Sequence, residues 1–192
     1  MKETQSTLVI FSGLPGTGKS TLAYKLAQKL HWPLLLIDDV IGTVPENPDL
    51  AFWDSKVAVL LELVETQLSL GLDVIVESVF MNMDRHHAQE LARKHHARFL
   101  PIYTFVSDDE IWEERVTARY KKLNNKDSPT WEQVQHQREY FREWEPQTAL
   151  FIDSTKPLDQ NFAEVLDFVV KENVVLKPLS EIQLFQGKYH GS

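Results

Sequence analysis

Residues Gly13 to Ser20 read Gly-Leu-Pro-Gly-Thr-Gly-Lys-Ser, and Thr21 follows. The run lies between an apolar segment, Leu8 to Phe11, and a helical repeat of Leu22, Ala23, Leu26, Ala27 and Leu30. That strand, loop and helix context separates a working loop from a chance spacing. Gly13, Gly16 and Gly18 admit backbone turns that a Cβ would obstruct, so successive N–H groups can point inward at an anion from the mouth of a helix. Leu14, Pro15 and Thr17 complete the cradle, and Lys19 supplies a movable positive charge suited to terminal phosphates. The Ser20 hydroxyl is suited to a magnesium ion bridging them, so ATP and Mg2+ are the expected cofactors.

Further chemistry-bearing residues follow short apolar runs. Asp38 and Asp39 follow Leu34 to Ile37, where one carboxylate can orient or deprotonate an acceptor hydroxyl while the other caps a turn. Asp38 is the expected base, with Asp39 as the alternative. Glu77 ends the run Asp73 to Glu77, a position for an acid that holds magnesium directly or through water, or for a carboxylate that caps the next turn. Ser78 beyond it is expected to contact substrate. Arg85 is expected either to reach an anion in the same crevice or to make a surface salt bridge.

Arg115 and Arg119 stand four residues apart on a predicted helix, where like charges repel by a few tenths of a kcal/mol. No acid lies three or four positions from either one. Their partner is therefore a polyphosphate, whose transition-state charge they would stabilise, or a set of distant acids. Lys121, Lys122 and Lys126 extend this basic stretch into a polar loop, which suits a lid closing over a nucleotide. His87 and His95, about 12 Å apart along a helix, are too far apart to share a metal ion.

These residues need a scaffold that brings loop ends together. Five apolar strands alternate with helices: Leu8 to Phe11, Leu34 to Ile37, Asp73 to Glu77, Phe99 to Val106 and Ala149 to Ile152. Predicted helices run from Asp49 to Leu70 with Gly71 as the cap, from Asp84 to His96, from a Ser107–Glu110 capping box to Leu123, from Pro129 to before Pro146, and from Asp159 to Glu172. Such alternation predicts a three-layer α/β fold, a parallel sheet covered by helices on both faces, with ligands beyond the carboxyl ends of the strands. Residues 1–173 are expected to form one domain with a lid at about 108–145, and 174–192 an extension that packs on the core or mediates self-association.

The formal net charge of −8 disfavours a nucleic acid partner, because nonspecific affinity for a polyanion comes mainly from Lys and Arg, although a small local basic site stays open. No cysteine is present, which excludes disulfides, thiolate metal sites and a cysteine nucleophile. The polar start, Met1 to Thr7, and the lack of a membrane-length apolar run lead to an expectation of cytoplasmic location.

With Gly-Leu-Pro-Gly-Thr-Gly-Lys-Ser-Thr, Ile37-Asp38-Asp39, the Val74 to Phe80 segment, Arg85 and Arg115 to Arg119 in place, the chain resembles small P-loop kinases. The likeness is to those of the zeta-toxin, polynucleotide-kinase and chloramphenicol-phosphotransferase type, and to AAA-family ATPases. The resemblance implies a five-stranded sheet in the order 2-3-1-4-5 and magnesium-dependent transfer from ATP to a hydroxyl. It further implies phosphate and magnesium roles for Lys19 and Ser20, a base role for Asp38, phosphate-gripping lid arginines at Arg115 and Arg119, and an adenine pocket lined by Ser154 and Thr155. Glu77 stands where the family has Asp, and Ile41 where polynucleotide kinases place Arg. The expected activity is thus a kinase acting on a hydroxyl of a metabolite, nucleotide sugar or drug. A polynucleotide 5′-kinase and a nucleotide-binding switch are the alternatives, and oligomeric state is left open.

Overall fold

The computed structural model describes residues 5–41, 52–123 and 128–179, the side chains of 41 and 52–55 excepted. The chain runs β1 (Thr7–Ser12), α1 (Lys19–Leu30), β2 (Leu34–Leu36), α2 (Ile37–Ile41), α3 (Phe52–Ser69) and β3 (Val74–Glu77). It continues through α4 (Asn82–Lys94), β4 (Arg98–Phe105), α5 (Asp109–Lys122), α6 (Trp131–Tyr140), β5 (Leu150–Asp153) and α7 (Leu158–Val170). The strands form one sheet in the order β2-β3-β1-β4-β5, as the resemblance implies. Every neighbouring pair is parallel, so all five carboxyl ends reach one edge.

Strand pleating sorts the core onto two faces. Leu8 and Ile10 of β1, with Val74 and Val76 of β3, pack against Leu60 and Val64 of α3 and Ala88 and Ala92 of α4. Val9, Phe11 and Ile75 point the other way, against Leu22 and Leu26 of α1 and Val165 and Val169 of α7. Leu8 to Phe11 are fully buried. Each large apolar side chain of this kind contributes about 1.5–3 kcal/mol when removed from water.

The element boundaries differ from expectation where local hydrogen bonds decide them. The second strand ends at Leu36, and Asp38 and Asp39 lie in a short helix instead of at a strand end. Ile37 and Val40, three residues apart, are both buried, and one helical turn places them on the same side. At α4, the Asp84 carboxylate accepts the Met81 N–H at 2.9 Å, which starts the helix at Asn82. Asp108, not Ser107, caps α5: its carboxylate accepts the N–H groups of Glu110 and Ile111. Thr130 and Gln133 cap α6 reciprocally, so Pro129 precedes the cap and is not the first helical residue.

Helix α6 ends at Tyr140, well before Pro146, because the following segment turns Phe141 and Trp144 into the core. The last helix spans Leu158–Val170. Gly71 closes α3 with φ of 72°, its N–H donating to Leu68 O at 2.9 Å. In the extension, Val174 packs on one core cluster and Leu179 on the other, while the Lys177 N–H donates to Gln147 O. Residues 180–192 lie outside the described residues.

The turn after β1 has no room for a side chain. At Gly13 the φ is 141°, and a Cβ would lie 2.3 Å from the carbonyl oxygen of Thr104 in β4. Gly71 also has positive φ, but a Cβ there would meet nothing within 4 Å. Gly13→Ala is therefore expected to destabilise the fold by about 3 kcal/mol or more, against about 1 kcal/mol for Gly71→Ala. Urea unfolding of the two variants compares them, and equal losses would contradict this account of the turn.

Candidate functional site

The loop from Gly13 to Gly18 joins the carboxyl end of β1 to the first turn of α1. Gly16 and Gly18 take φ of 81° and 87°, left-handed values that turn the chain into the helix. The Thr17 hydroxyl donates to Leu14 O at 2.8 Å and pairs with the Thr104 hydroxyl at 2.8 Å. Helix α5 sits directly on the loop. The Trp112 indole donates to Pro15 O at 2.8 Å, and a Cβ on Gly16 would approach Val116 to 2.7 Å. Trp112 stacks edge-on with Trp131, and the Arg138 guanidinium lies over its ring while pairing with Asp109.

Lys19 opens α1 with its ammonium held inside the loop. It donates to Leu14 O at 3.1 Å and lies 3.4 Å from Glu77 Oε1, with only 8% and 5% of the two side chains exposed. Glu77 thus faces the loop from the end of β3. Ser20, half-buried in the same turn of α1, adds a hydroxyl to this region. Among the described residues, no group of three or more His, Cys, Asp or Glu could hold a metal ion. The Ser20 hydroxyl and the Glu77 carboxylate are hard oxygen donors, which fit magnesium completed by phosphate oxygens and water.

Asp38 stands across the crevice from α5. Arg119 donates to its carboxylate at 2.9 Å, the two side chains being 38% and 55% exposed. One turn earlier, Arg115 reaches the opposite wall, donating to Ser154 Oγ at 2.7 Å and Ser154 O at 3.0 Å. The two arginines, which have no acid in helical register, therefore find tertiary partners on either side of the phosphate loop. Ser154 also approaches the loop itself, since a Cβ on Gly18 would lie 3.5 Å from its Cβ. Beneath it, burial opposes ionisation of Asp153, but donors from Ser107 and Thr155 outweigh burial and lower its pKa. The Thr155 hydroxyl lies 3.4 Å from that of Ser107, and Asp39 is exposed beside Asp38.

Two expected substrate residues are placed differently. Ser78 is buried, and its N–H donates to Phe11 O. Arg85, expected at a surface salt bridge or an open anion site, is instead buried. It is 4% exposed, and its donors go to Phe80 O, Arg142 O and Asn82 Oδ1. Burial pushes its pKa down to about 10. Lys121 and Lys122 are exposed at the end of α5, while Lys126 and most of the segment Gly42 to Trp53, which would shape an acceptor pocket, lie outside the described residues.

Sequence reasoning missed Trp112, Thr104, Ser12 and Trp144. Thr104 had a signal, a polar residue between Tyr103 and Phe105 in an apolar strand. Trp112 had one too, three positions before Arg115 on a helix already assigned to the site.

The buried Lys19–Glu77 pair yields a prediction. Lys19→Met leaves a buried carboxylate without its cation and is expected to destabilise the fold by about 3 kcal/mol. Lys19→Met/Glu77→Gln is expected to recover part of that loss, as coupled residues do. Urea unfolding of both single variants and the double variant tests it, and additive losses would show that the two groups are not coupled.

The fold has known counterparts. Among solved structures, a Chloroflexus aurantiacus protein described provisionally as a kinase matches with a TM-score of 0.68 at 22% identity, covering 86% of this chain and 94% of that one. The Mycobacterium tuberculosis APS kinase CysC in complex with AMPPNP and APS gives 0.63 at 18% identity, covering 87% of this chain and 99% of that one. A gluconokinase from Sinorhizobium meliloti 1021 gives 0.60 at 17% identity, covering 86% and 98% respectively. These likenesses establish a P-loop kinase-like fold. The family model for an AAA domain, AAA_33, matches residues 8–144, a span that runs from β1 past the end of α6. With most of its length in that match, this chain belongs to the AAA_33 family of AAA domains.

Proposed function

We propose that this protein is an ATP-dependent kinase that transfers the γ-phosphoryl group to a hydroxyl of a small molecule, a metabolite, nucleotide sugar or drug. The observation that carries the reading is the placement of Asp38. An exposed carboxylate stands across from the phosphate loop, linked by Arg119 to the same helix that Trp112 pins on Pro15. A nucleotide-binding switch has no need of a base in that position. The structural neighbours named as APS kinase and gluconokinase support the same class of reaction, and the AMPPNP in one of them supports a nucleotide donor. The net charge of −8 and Ile41 in place of Arg make a polynucleotide acceptor the weaker reading.

In this reading the catalytic unit is residues 1–173, with 108–145 as its lid, and it acts in the cytoplasm. No helix among the described residues is long and apolar enough to cross a membrane. The backbone of Gly13 to Thr21 cradles the phosphates, and Ser154 and Thr155 line the adenine side. Ser20 and Glu77 would hold Mg2+, which supplies charge neutralisation of the phosphate oxygens. Lys19 follows the γ-phosphoryl group, and Arg115 and Arg119 leave Ser154 and Asp38 to grip phosphate oxygens. Asp38, or Asp39 beside it, accepts the proton of the acceptor hydroxyl. As the acceptor oxygen forms its bond to phosphorus, the bond from phosphorus to the ADP oxygen breaks, and the electron pair leaves with ADP.

Labelled γ-phosphate from ATP and Mg2+, offered to a pooled set of metabolites, nucleotide sugars and oligonucleotides, tests the proposal. The wild type is expected to yield a labelled acceptor. Lys19→Ala and Asp38→Asn should each lower the rate by about 100-fold or more, the loss typical of a missing charge clamp or general base. Free phosphate alone from the wild type would overturn the kinase assignment and favour the nucleotide switch, whereas labelled acceptor formed undiminished by Asp38→Asn would remove Asp38 as the base.

A further inference from the structure

Arg85 closes a ring of contacts that reaches the phosphate loop from behind. Its Nε donates to Phe80 O at 2.8 Å and its Nη2 to Arg142 O at 2.6 Å, joining the segment after β3 to the segment after α6. The guanidinium lies between rings, 4.9 Å from the centre of Phe141 and 4.6 Å from that of Trp144. Trp144, 3% exposed, donates its indole N–H to Ser12 Oγ at 3.0 Å. Ser12 Oγ in turn donates to Val79 O at 2.8 Å, and the same carbonyl accepts the Gly13 N–H at 3.3 Å. Val79 is bonded to Phe80, whose carbonyl returns the path to Arg85.

Two features argue against simple packing. Phe80 is fully buried at a φ of 53°, a left-handed value that is strained for a bulky aromatic residue and persists only where neighbours over-determine it. Its carbonyl is the one Arg85 holds. A buried guanidinium is also a poor space filler, since an apolar side chain of the same volume would avoid the desolvation. A planar fork that reaches two carbonyls and stacks on two rings needs arginine.

We propose that Arg85 is a positioning residue for the phosphate loop, acting through Phe80, Trp144 and Ser12. It fixes the end of β3 and the chain returning from α6 against the first residues of the loop, so that the loop N–H groups converge on one phosphate. The proposal rests on the nucleotide-binding reading above and adds a residue to it. The two lid arginines are carried by α5, while Arg85 holds the return limb of the same excursion, so both limbs are registered on one loop.

The test uses the full chain and measures three quantities: the Kd for AMPPNP with Mg2+, the thermal midpoint, and the Gly13 amide resonance without nucleotide. Trp144→Phe keeps the ring and removes the N–H donor, and Ser12→Ala removes its acceptor. Each is expected to raise the Kd by about 3- to 10-fold, the range for one lost hydrogen bond, and the double variant should be no weaker than the worse single variant. Arg85→Lys keeps the charge, loses the fork and is expected to raise the Kd by about 10-fold or more. The Gly13 amide should shift in all of them. If Arg85→Lys fails to fold, the Trp144 and Ser12 variants decide the question.

A Kd within twofold of wild type in Trp144→Phe, with only the midpoint lowered, would overturn the proposal and leave a packing role. Wild-type protein that fails to bind AMPPNP would remove the nucleotide reading itself. In that case an unmoved Gly13 amide in Trp144→Phe overturns the wiring independently, and a shifted one upholds it.

Discussion

The central strand β1 must deliver the chain to α1 through a turn in which Gly13 lies against the backbone of β4. The carbonyl oxygen of Thr104 lies 2.3 Å from where a Cβ of Gly13 would stand, so the approach is fixed by backbone and not by side-chain choice. That contact depends in turn on the parallel register that sets Ser12 opposite Tyr103. From it follow the direction of the loop, the burial of Lys19 beside Glu77, and the docking of α5 through the Pro15 carbonyl. The apolar layers on either side of the sheet make the register rigid, because a slip of one residue would exchange the two faces of β1.

The electrostatics of the site follow from its depth. Lys19 and Glu77 lie deep, where an ion pair must be complete because neither charge has water to replace its partner. Arg119 and Asp38 lie at the rim, where about half of each side chain meets solvent and an ion pair contributes only about 0–1 kcal/mol. A rim pair of that strength exchanges easily for a phosphate or an acceptor hydroxyl. A deep, fixed ion pair beside weakly held rim arginines is the division that the proposed phosphoryl transfer requires.

The sequence made the sheet legible because β1, β3 and the middle of β4 are buried on both faces and read as mainly apolar runs between turn signals. The phosphate loop was legible because its glycines and Lys19 occupy fixed offsets with a mechanism behind each. Asp38 pairs with Arg119 of α5, but its one-turn helix was hidden, since five residues carry too little periodicity to distinguish a helix from a strand end. Arg85 was misread because nothing in the local sequence shows that Phe141 and Trp144, more than fifty positions away, would enclose it. Trp112 was missed because its indole bond to Pro15 needs the tertiary fold to appear.

The most direct measurement of the central claim, that this loop is a nucleotide phosphate site, is calorimetric titration of the full chain with AMPPNP and Mg2+, alongside Lys19→Ala. The account predicts saturable one-to-one binding by the wild type, weakened by about 10-fold or more in the variant, as expected for the loss of a charge-assisted phosphate contact. Absence of binding by the wild type, or equal binding by Lys19→Ala, would contradict it.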